Sequence, residues 1–190
     1  ATSPWPRQFI VSDLDGDSSP DLAVTTMYGR TLDVFLNGGD WSFDFSTIPF
    51  DRAVLGITAR DMNRDGIQDL VVSSGDEHSP SGRFSTGFVH VLPGRGDGTF
   101  AAARTFPTME GPILAVAGDY NGDGLLDIAT GNRTVGWSAE CDGFADMWDS
   151  VSILPGIGGG DLGAAVTFAL GNSYDEPRFH LDTVRRLAKA

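Results

Sequence analysis

A chain of 190 residues with 41% apolar content is long enough to bury one substantial core. Its formal charge of −13 and isoelectric point near 4.3 argue against nucleic acid or an anionic membrane as partner, because both reward clusters of Lys and Arg. No run of 18 apolar residues is present, and "ATSPWPRQF" at the start has neither the charged nor the apolar region of a signal peptide, which is therefore absent or already removed. Cys141 is the single cysteine, which rules out an intrachain disulfide; it is expected to be a small buried hydrophobe or an incidental loop thiol.

Apolar runs are short and lie between clusters of Gly, Pro, Asn and Asp, a pattern of many short strands. From the N-terminus, "RQFIVS" leads into an acidic loop starting at Asp13, then "DLAVTT", then "TLDVFLNGG" with its Gly-rich turn, then "WSFDFSTI". The order repeats as "VLGITAR", a loop starting at Asp61, "DLVVSS", "GFVHVLPGRGDG" and "TFAAARTF". It returns a third time as "ILAVAG", a loop starting at Asp119, "DIAT", "DSVSILPGIGGGD" and "AAVTFAL". The loops share the pattern D-x-[DN]-x-D-[GS]-x-x-D, and their starts are 48 and then 58 residues apart. Four strands in each repeat of about 40 to 60 residues is the pattern of a β-propeller blade. The predicted fold is therefore all-β: three antiparallel four-stranded blades over about 8–50, 54–106 and 112–171, in one domain spanning 1–180. A short helical tail is expected over 181–190, capped by Asp182, with Val184 and Leu187 on one face.

Acids at positions 1, 3, 5 and 9 of a tight loop bring their oxygens together, and such like charges repel unless a cation lies between them. A hard ion such as Ca²⁺ takes six to eight oxygens, and position 7 can add a backbone carbonyl. The expected ligands are Asp13, Asp15, Asp17 and Asp21 with Ser19; Asp61, Asn63, Asp65 and Asp69 with Ile67; and Asp119, Asn121, Asp123 and Asp127 with Leu125. Gly66 and Gly124 at position 6 permit the bend, whereas Ser18 stands there in the first loop and is expected to weaken it. An EF-hand is excluded because position 12, its bidentate Glu, is Val24, Val72 or Thr130 here. Three Ca²⁺ ions would bring the formal charge to about −7, so the loops themselves explain much of the acidity. Loops lacking that Glu should bind Ca²⁺ loosely, which suits the millimolar calcium outside cells and predicts a secreted or cell-surface protein.

The stretch "DMNRDGIQDLVVSSG…GFVHVLPGRGDGTF" resembles the FG-GAP/VCBS repeat of integrin α heads, fungal calcium-containing propeller lectins and many bacterial surface proteins. The likeness runs from Gln8 to about Gly171. It implies structural Ca²⁺ in the Asp loops, between the first two strands of each blade, and a non-enzymatic adhesion or surface-assembly module. Two alternatives follow from the same family: a calcium-dependent lectin, or the propeller portion of a larger polysaccharide- or lipid-degrading enzyme. Three blades are fewer than the four to eight of a complete propeller, so the exposed ends are expected to be covered either by the rest of a longer chain or by a protein partner or self-association, as ring or filament.

Other features are weaker. Arg95-Gly96-Asp97 sits where each repeat turns and is expected to be a turn rather than an adhesive tripeptide. An insertion from Gly131 to Asp149 is expected to be a surface loop whose Trp137, Phe144 and Trp148 either pack onto the loop's own blade or form the best candidate surface for a glycan or protein partner. Asn132 heads the sole glycosylation sequon, Asn132-Arg133-Thr134. His78, His90 and His180 stand in no recognisable catalytic or metal motif, and no catalytic residue is expected.

Overall fold

The computed structural model describes residues 5–26, 29–40, 42–75, 87–109, 111–134, 137–138, 143–144 and 148–172, with backbone alone at 133–134, 137–138, 143–144, 148–149 and 171–172. The expected helix over 181–190, Cys141, His78, His180 and the side chains of Trp137, Phe144 and Trp148 lie outside the described residues. All regular structure among the described residues is β-strand, and none of it is a helix able to cross a membrane.

Three open four-stranded antiparallel sheets follow one another along the chain. The first contains β1 (Pro6–Ser12), β2 (Asp21–Thr26), β3 (Thr31–Asn37) and β4 (Phe43–Pro49), paired in chain order. The second contains β5 (Ala53–Arg60), β6 (Asp69–Gly75), β7 (Gly87–Leu92) and β8 (Arg104–Thr108), again in chain order. The third starts with β9 (Pro112–Gly118) and β10 (Asp127–Thr134) and passes through a small hairpin of β11 (Trp137–Ser138) and β12 (Gly143–Phe144). It returns as β13 (Trp148–Leu154), turns through β14 (Gly156–Gly158) and β15 (Asp161–Leu162), and closes with β16 (Val166–Asn172), in the sheet order β9-β10-β13-β16. These are blades of the propeller type.

Successive sheets pack face to face, which explains the sequence patterns. Leu32 and Val34 of the first sheet meet Val54, Ile57, Leu70 and Val72 of the second. On its other face the second sheet presents Val71, Val89 and Val91 to Ala115, Ala117, Ile128 and Leu154 of the third. A strand covered on both sides has no use for alternation, so β6 runs through Leu70, Val71 and Val72 with all three buried. The outer strand β4, by contrast, is largely exposed. The first strands lie side by side, with β5 in contact with both β1 and β9. Gly56 permits this: a Cβ there would lie 2.9 Å from the Leu114 Cα and 2.8 Å from the Ser73 Oγ. The Ile57 N–H also donates to Gln8 Oε1 at 3.2 Å, joining β5 to β1.

Two segments differ from expectation. The run "TFAAARTF" pairs as a strand only from Arg104, because the Gly94–Phe100 bridge and the bond from Ala101 N–H to Pro93 O (2.7 Å) hold its first residues to the preceding turn. The insertion expected to be a surface loop is partly sheet. Here β10 and β13 stay paired out to Thr134 and Trp148, and β11 pairs with β12 beyond them. Pairing satisfies backbone groups that a loop would leave to water.

Candidate metal centres

The three acidic loops, Asp13 to Asp21, Asp61 to Asp69 and Asp119 to Asp127, join β1 to β2, β5 to β6 and β9 to β10 with one internal scaffold. At position 1 the carboxylate accepts at least two backbone N–H groups, those three and five residues on. Asp13 takes those of Gly16 (2.7 Å) and Ser18 (3.0 Å), Asp61 those of Arg64 (2.7 Å) and Gly66 (2.9 Å), and Asp119 those of Gly122 (2.7 Å) and Gly124 (2.9 Å). The position 3 side chains Asp15, Asn63 and Asn121 accept the N–H two residues on, at 3.1, 2.9 and 2.8 Å. At position 5, Asp17, Asp65 and Asp123 do the same for Ser19, Ile67 and Leu125, at 2.6, 2.8 and 2.7 Å. These are successive Asx turns, the conformation that short carboxylate and amide side chains favour.

Such a path requires left-handed backbone at positions 4 and 6. The third loop supplies Gly122 and Gly124 (φ 80° and 84°). The first has Ser18 (φ 71°) beside Gly16, and the second has Arg64 (φ 67°) beside Gly66. A non-Gly residue in this region costs about 1–2 kcal/mol, so the weakness expected at Ser18 has a counterpart at Arg64.

The position 9 Asp has a role that its sequence pattern does not reveal. Asp21, Asp69 and Asp127 are fully or almost fully buried, and each ties two distant backbone segments together. One oxygen takes the N–H at loop position 2, from Leu14 (2.7 Å), Met62 (2.9 Å) or Tyr120 (2.9 Å). The other takes the N–H where the third long strand leaves the sheet, from Asn37 (2.8 Å), Gly94 (2.9 Å) or Gly156 (2.7 Å). Close packing at that exit favours glycine, since a Cβ on Gly94 or Gly156 would overlap the carbonyl of Gln68 or Leu126. At the equivalent position Asn37 donates its side-chain amide to Pro20 O at 3.2 Å. The recurring Asn or Gly after the third strand was the available signal.

Charge is most concentrated in the first loop, where one oxygen each from Asp13, Asp15 and Asp21 lie within 4.8 Å of one another. The Asp17 N–H lowers the Asp15 pKa, but desolvation and the charges of Asp21, Asp17 and Asp13 together leave it above its ordinary value. Burial likewise raises Asp69 against the pull of the Gly94 and Met62 amides. In the other two loops an amide replaces the acid at position 3. Asn63 Nδ2 donates to Asp65 at 2.8 Å and Asn121 Nδ2 to Asp123 at 3.0 Å, so part of the negative charge meets an internal donor. Three converging hard oxygens in an electronegative loop suit a cation with oxygen preference.

The remaining expected sites separate. Asn132 is buried, its Nδ2 donating to Ser150 Oγ (3.1 Å) and Ser152 Oγ (2.7 Å) while its Oδ1 accepts from Thr130 Oγ1 (2.9 Å). It crosslinks β10 and β13, and a glycan on that nitrogen would take the place of one of its two hydrogens and so break at least one of these bonds. Arg95 and Asp97 are held within their own turn: Arg95 Nη1 donates to Phe100 O at 2.9 Å, and Asp97 accepts the Thr99 Oγ1 and N–H at 2.6 and 2.9 Å. His90 opens on a cleft of about 740 Å³ between the first two sheets, lined also by Phe50, Arg52, Ser74, Phe88 and Phe100. Burial lowers its pKa to about 4 despite the opposing charge of Asp51, so the ring is neutral, bonded to Ser74 Oγ (2.7 Å) and Thr105 Oγ1 (3.0 Å). Alternation along β7 gave no hint of this cleft, because the second wall comes from the first sheet.

A family model described as an FG-GAP-like repeat matches residues 13–72 and again 61–130. Each match begins at the first Asp of one acidic loop and ends in the strand after the next. Comparison with curated proteins finds no match.

Proposed function

The chain belongs to the FG-GAP-like repeat family, and from that premise we propose that it is a non-enzymatic, calcium-stabilised interaction module that works outside cells or on their surface. The cluster of Asp13, Asp15 and Asp21 oxygens within 4.8 Å of one another carries this reading. Ca²⁺ bound there would supply the positive charge that the first loop lacks. Asp13, Asp15, Asp17 and Asp21 with the Ser19 carbonyl would hold it, and the corresponding residues would hold further ions in the second and third loops. The ion's role is structural: it keeps the loop compact, and the loop positions the first two strands of its sheet.

Binding to the folded loops alone stabilises by mass action, by about 2.7 kcal/mol when free Ca²⁺ is a hundredfold above its dissociation constant. The test is thermal unfolding across a Ca²⁺ titration and in excess chelator. A melting temperature that rises to saturation near millimolar Ca²⁺, with a smaller rise in Asp65→Ala or Asp123→Ala, is the expected result. An identical melting temperature in chelator and in millimolar Ca²⁺ would refute the reading.

A further inference from the structure

Position 3 of the acidic loop carries an amide in the second and third loops, and the residue after it differs. Asn63 precedes Arg64, whereas Asn121 precedes Gly122, one of two Asn-Gly pairs in the chain; the other is Asn37-Gly38. The backbone nitrogen that follows an asparagine can attack its side-chain carbonyl carbon, and that nitrogen is least hindered when its own residue has no Cβ. At Gly122 even an added Cβ would meet no heavy atom within 4 Å, so this nitrogen lies in open surroundings.

The two Asn-Gly pairs are held in different ways. Asn37 is half-buried at the end of β3. Its own N–H donates to the buried Asp21 (2.8 Å), its Nδ2 to Pro20 O (3.2 Å), and the Gly38 N–H to Ser42 O (3.1 Å), so freeing it disturbs a strand end and the buried clamp. Asn121 is exposed and bonded within its own loop, whose Asp119 and Asp123 are exposed too. The Gly122 N–H donates to Asp119 (2.7 Å), Asn121 Oδ1 accepts the Asp123 N–H (2.8 Å), and Asn121 Nδ2 donates to Asp123 Oδ2 (3.0 Å). Breaking these bonds disrupts no strand pairing, and openings of that kind lie at the low end of the local stability range. Positions 4 to 6 are exposed in all three loops, including the two against which the turn of the following sheet lies: Gly98 N–H donates to Leu14 O at 3.2 Å, and a Cβ on Gly160 would stand 3.5 Å from Asn63 Cβ. Gly122 would therefore stay accessible under such a turn as well.

We propose that Asn121 is a site of spontaneous deamidation whose rate is set by opening of the third loop. In the opened loop the Gly122 nitrogen attacks Asn121 Cγ, the Cγ–Nδ2 bond breaks, and the amide leaves as ammonia with the proton that the Gly122 nitrogen gives up. Water then opens the cyclic imide. Addition at the former side-chain carbonyl leaves aspartate at position 121, and addition at the former backbone carbonyl leaves isoaspartate, with the chain running through the side-chain carbon. The first product reproduces the arrangement of the first loop, where Asp15 precedes Gly16, and removes the amide donor that Asp123 now accepts. The second lengthens the backbone and carries the Gly122 and Gly124 amides out of register with Asp119, so it holds the loop open. Asn63 is the internal contrast: it accepts the Asp65 N–H at 2.9 Å and donates to Asp65 at 2.8 Å in the same way, but the Arg64 side chain crowds the nitrogen that would attack.

The test is incubation of the full chain at mildly alkaline pH, in buffer and in unfolding urea, followed by digestion and peptide mass spectrometry. The mass gain from amide to acid marks the reaction, and chromatography separates the aspartyl and isoaspartyl peptides. In buffer, Asn121 should react ahead of Asn37 and Asn63. Urea should accelerate Asn121 severalfold and bring Asn37 to a similar rate. In Arg64→Gly, a change at a position already in left-handed backbone (φ 67°), Asn63 should become a further site. Reaction at Asn37 ahead of Asn121 in buffer, equal rates at Asn121 in buffer and urea, an Asn121 that reacts only in urea, or an inert Asn63 in Arg64→Gly would each overturn the proposal.

Discussion

The first and third acidic loops share a hydrogen-bond scaffold and differ in what surrounds it. Around the first, position 3 is a carboxylate, position 6 is Ser18 in left-handed backbone, and Leu14 lies beneath the second sheet's turn. Around the third, position 3 is Asn121, position 6 is Gly124, and Tyr120 faces solvent. The scaffold therefore depends on neither the neighbouring sheet nor the full set of acids. It is a local structure closed by short side chains on nearby N–H groups, and the burial that makes its end expensive to disturb comes from packing.

Removing the shared element should have the largest effect. In Asp21→Ala the amides of Leu14 and Asn37 lose their acceptor, and leaving a buried donor unsatisfied costs about 1–3 kcal/mol. Urea unfolding should show a loss of about 2–5 kcal/mol, and Asp127→Ala should behave similarly, because both carboxylates are buried whatever covers their loops. A loss below 1 kcal/mol in either would mean that the clamp is dispensable.

Acid should distinguish the covered junction from the free end, since His90 belongs to the former. Its pKa in the fold is about 4 against 6.5 for an unperturbed histidine, so the unfolded chain binds the extra proton between these values. Stability from neutral His90 is complete above pH 6.5 and is lost as pH falls towards 4, up to about 3 kcal/mol at 1.36 kcal/mol per pH unit. Urea midpoints measured from pH 7 to 4 should fall accordingly, and His90→Gln should flatten the slope. An equal slope in that variant would place the acid sensitivity elsewhere.

The smallest expected effect concerns the backbone. Ser18→Gly should stabilise the protein by about 1 kcal/mol by relieving left-handed strain, although the greater freedom of glycine in the unfolded chain offsets part of it. Gly124→Ser should destabilise it by about 1–2 kcal/mol, giving the third loop the strain of the first. Melting temperatures of the two variants moving in the same direction would show that the loops are not equivalent.

The repeat, its strands and its acidic loops were legible in the sequence because their causes are local. Short side chains at fixed spacing close Asx turns on adjacent amides, left-handed positions attract glycine, and short apolar runs between turn residues pair with their neighbours. The pattern D-x-[DN]-x-D-[GS]-x-x-D marked these loops correctly, and the strands β1, β2, β5, β6, β9 and β10 flank them as expected. Tertiary structure alone decided which carboxylates serve as clamps, since the second amide on Asp21, Asp69 or Asp127 comes from 16, 25 or 29 residues away. It also decided that Asn132 is buried, that His90 is neutral, and that Phe9 and Ile57, equivalent in sequence, have opposite exposures. Burial is set by what stands across the gap, and a repeat cannot state in its own residues whether a neighbour is present.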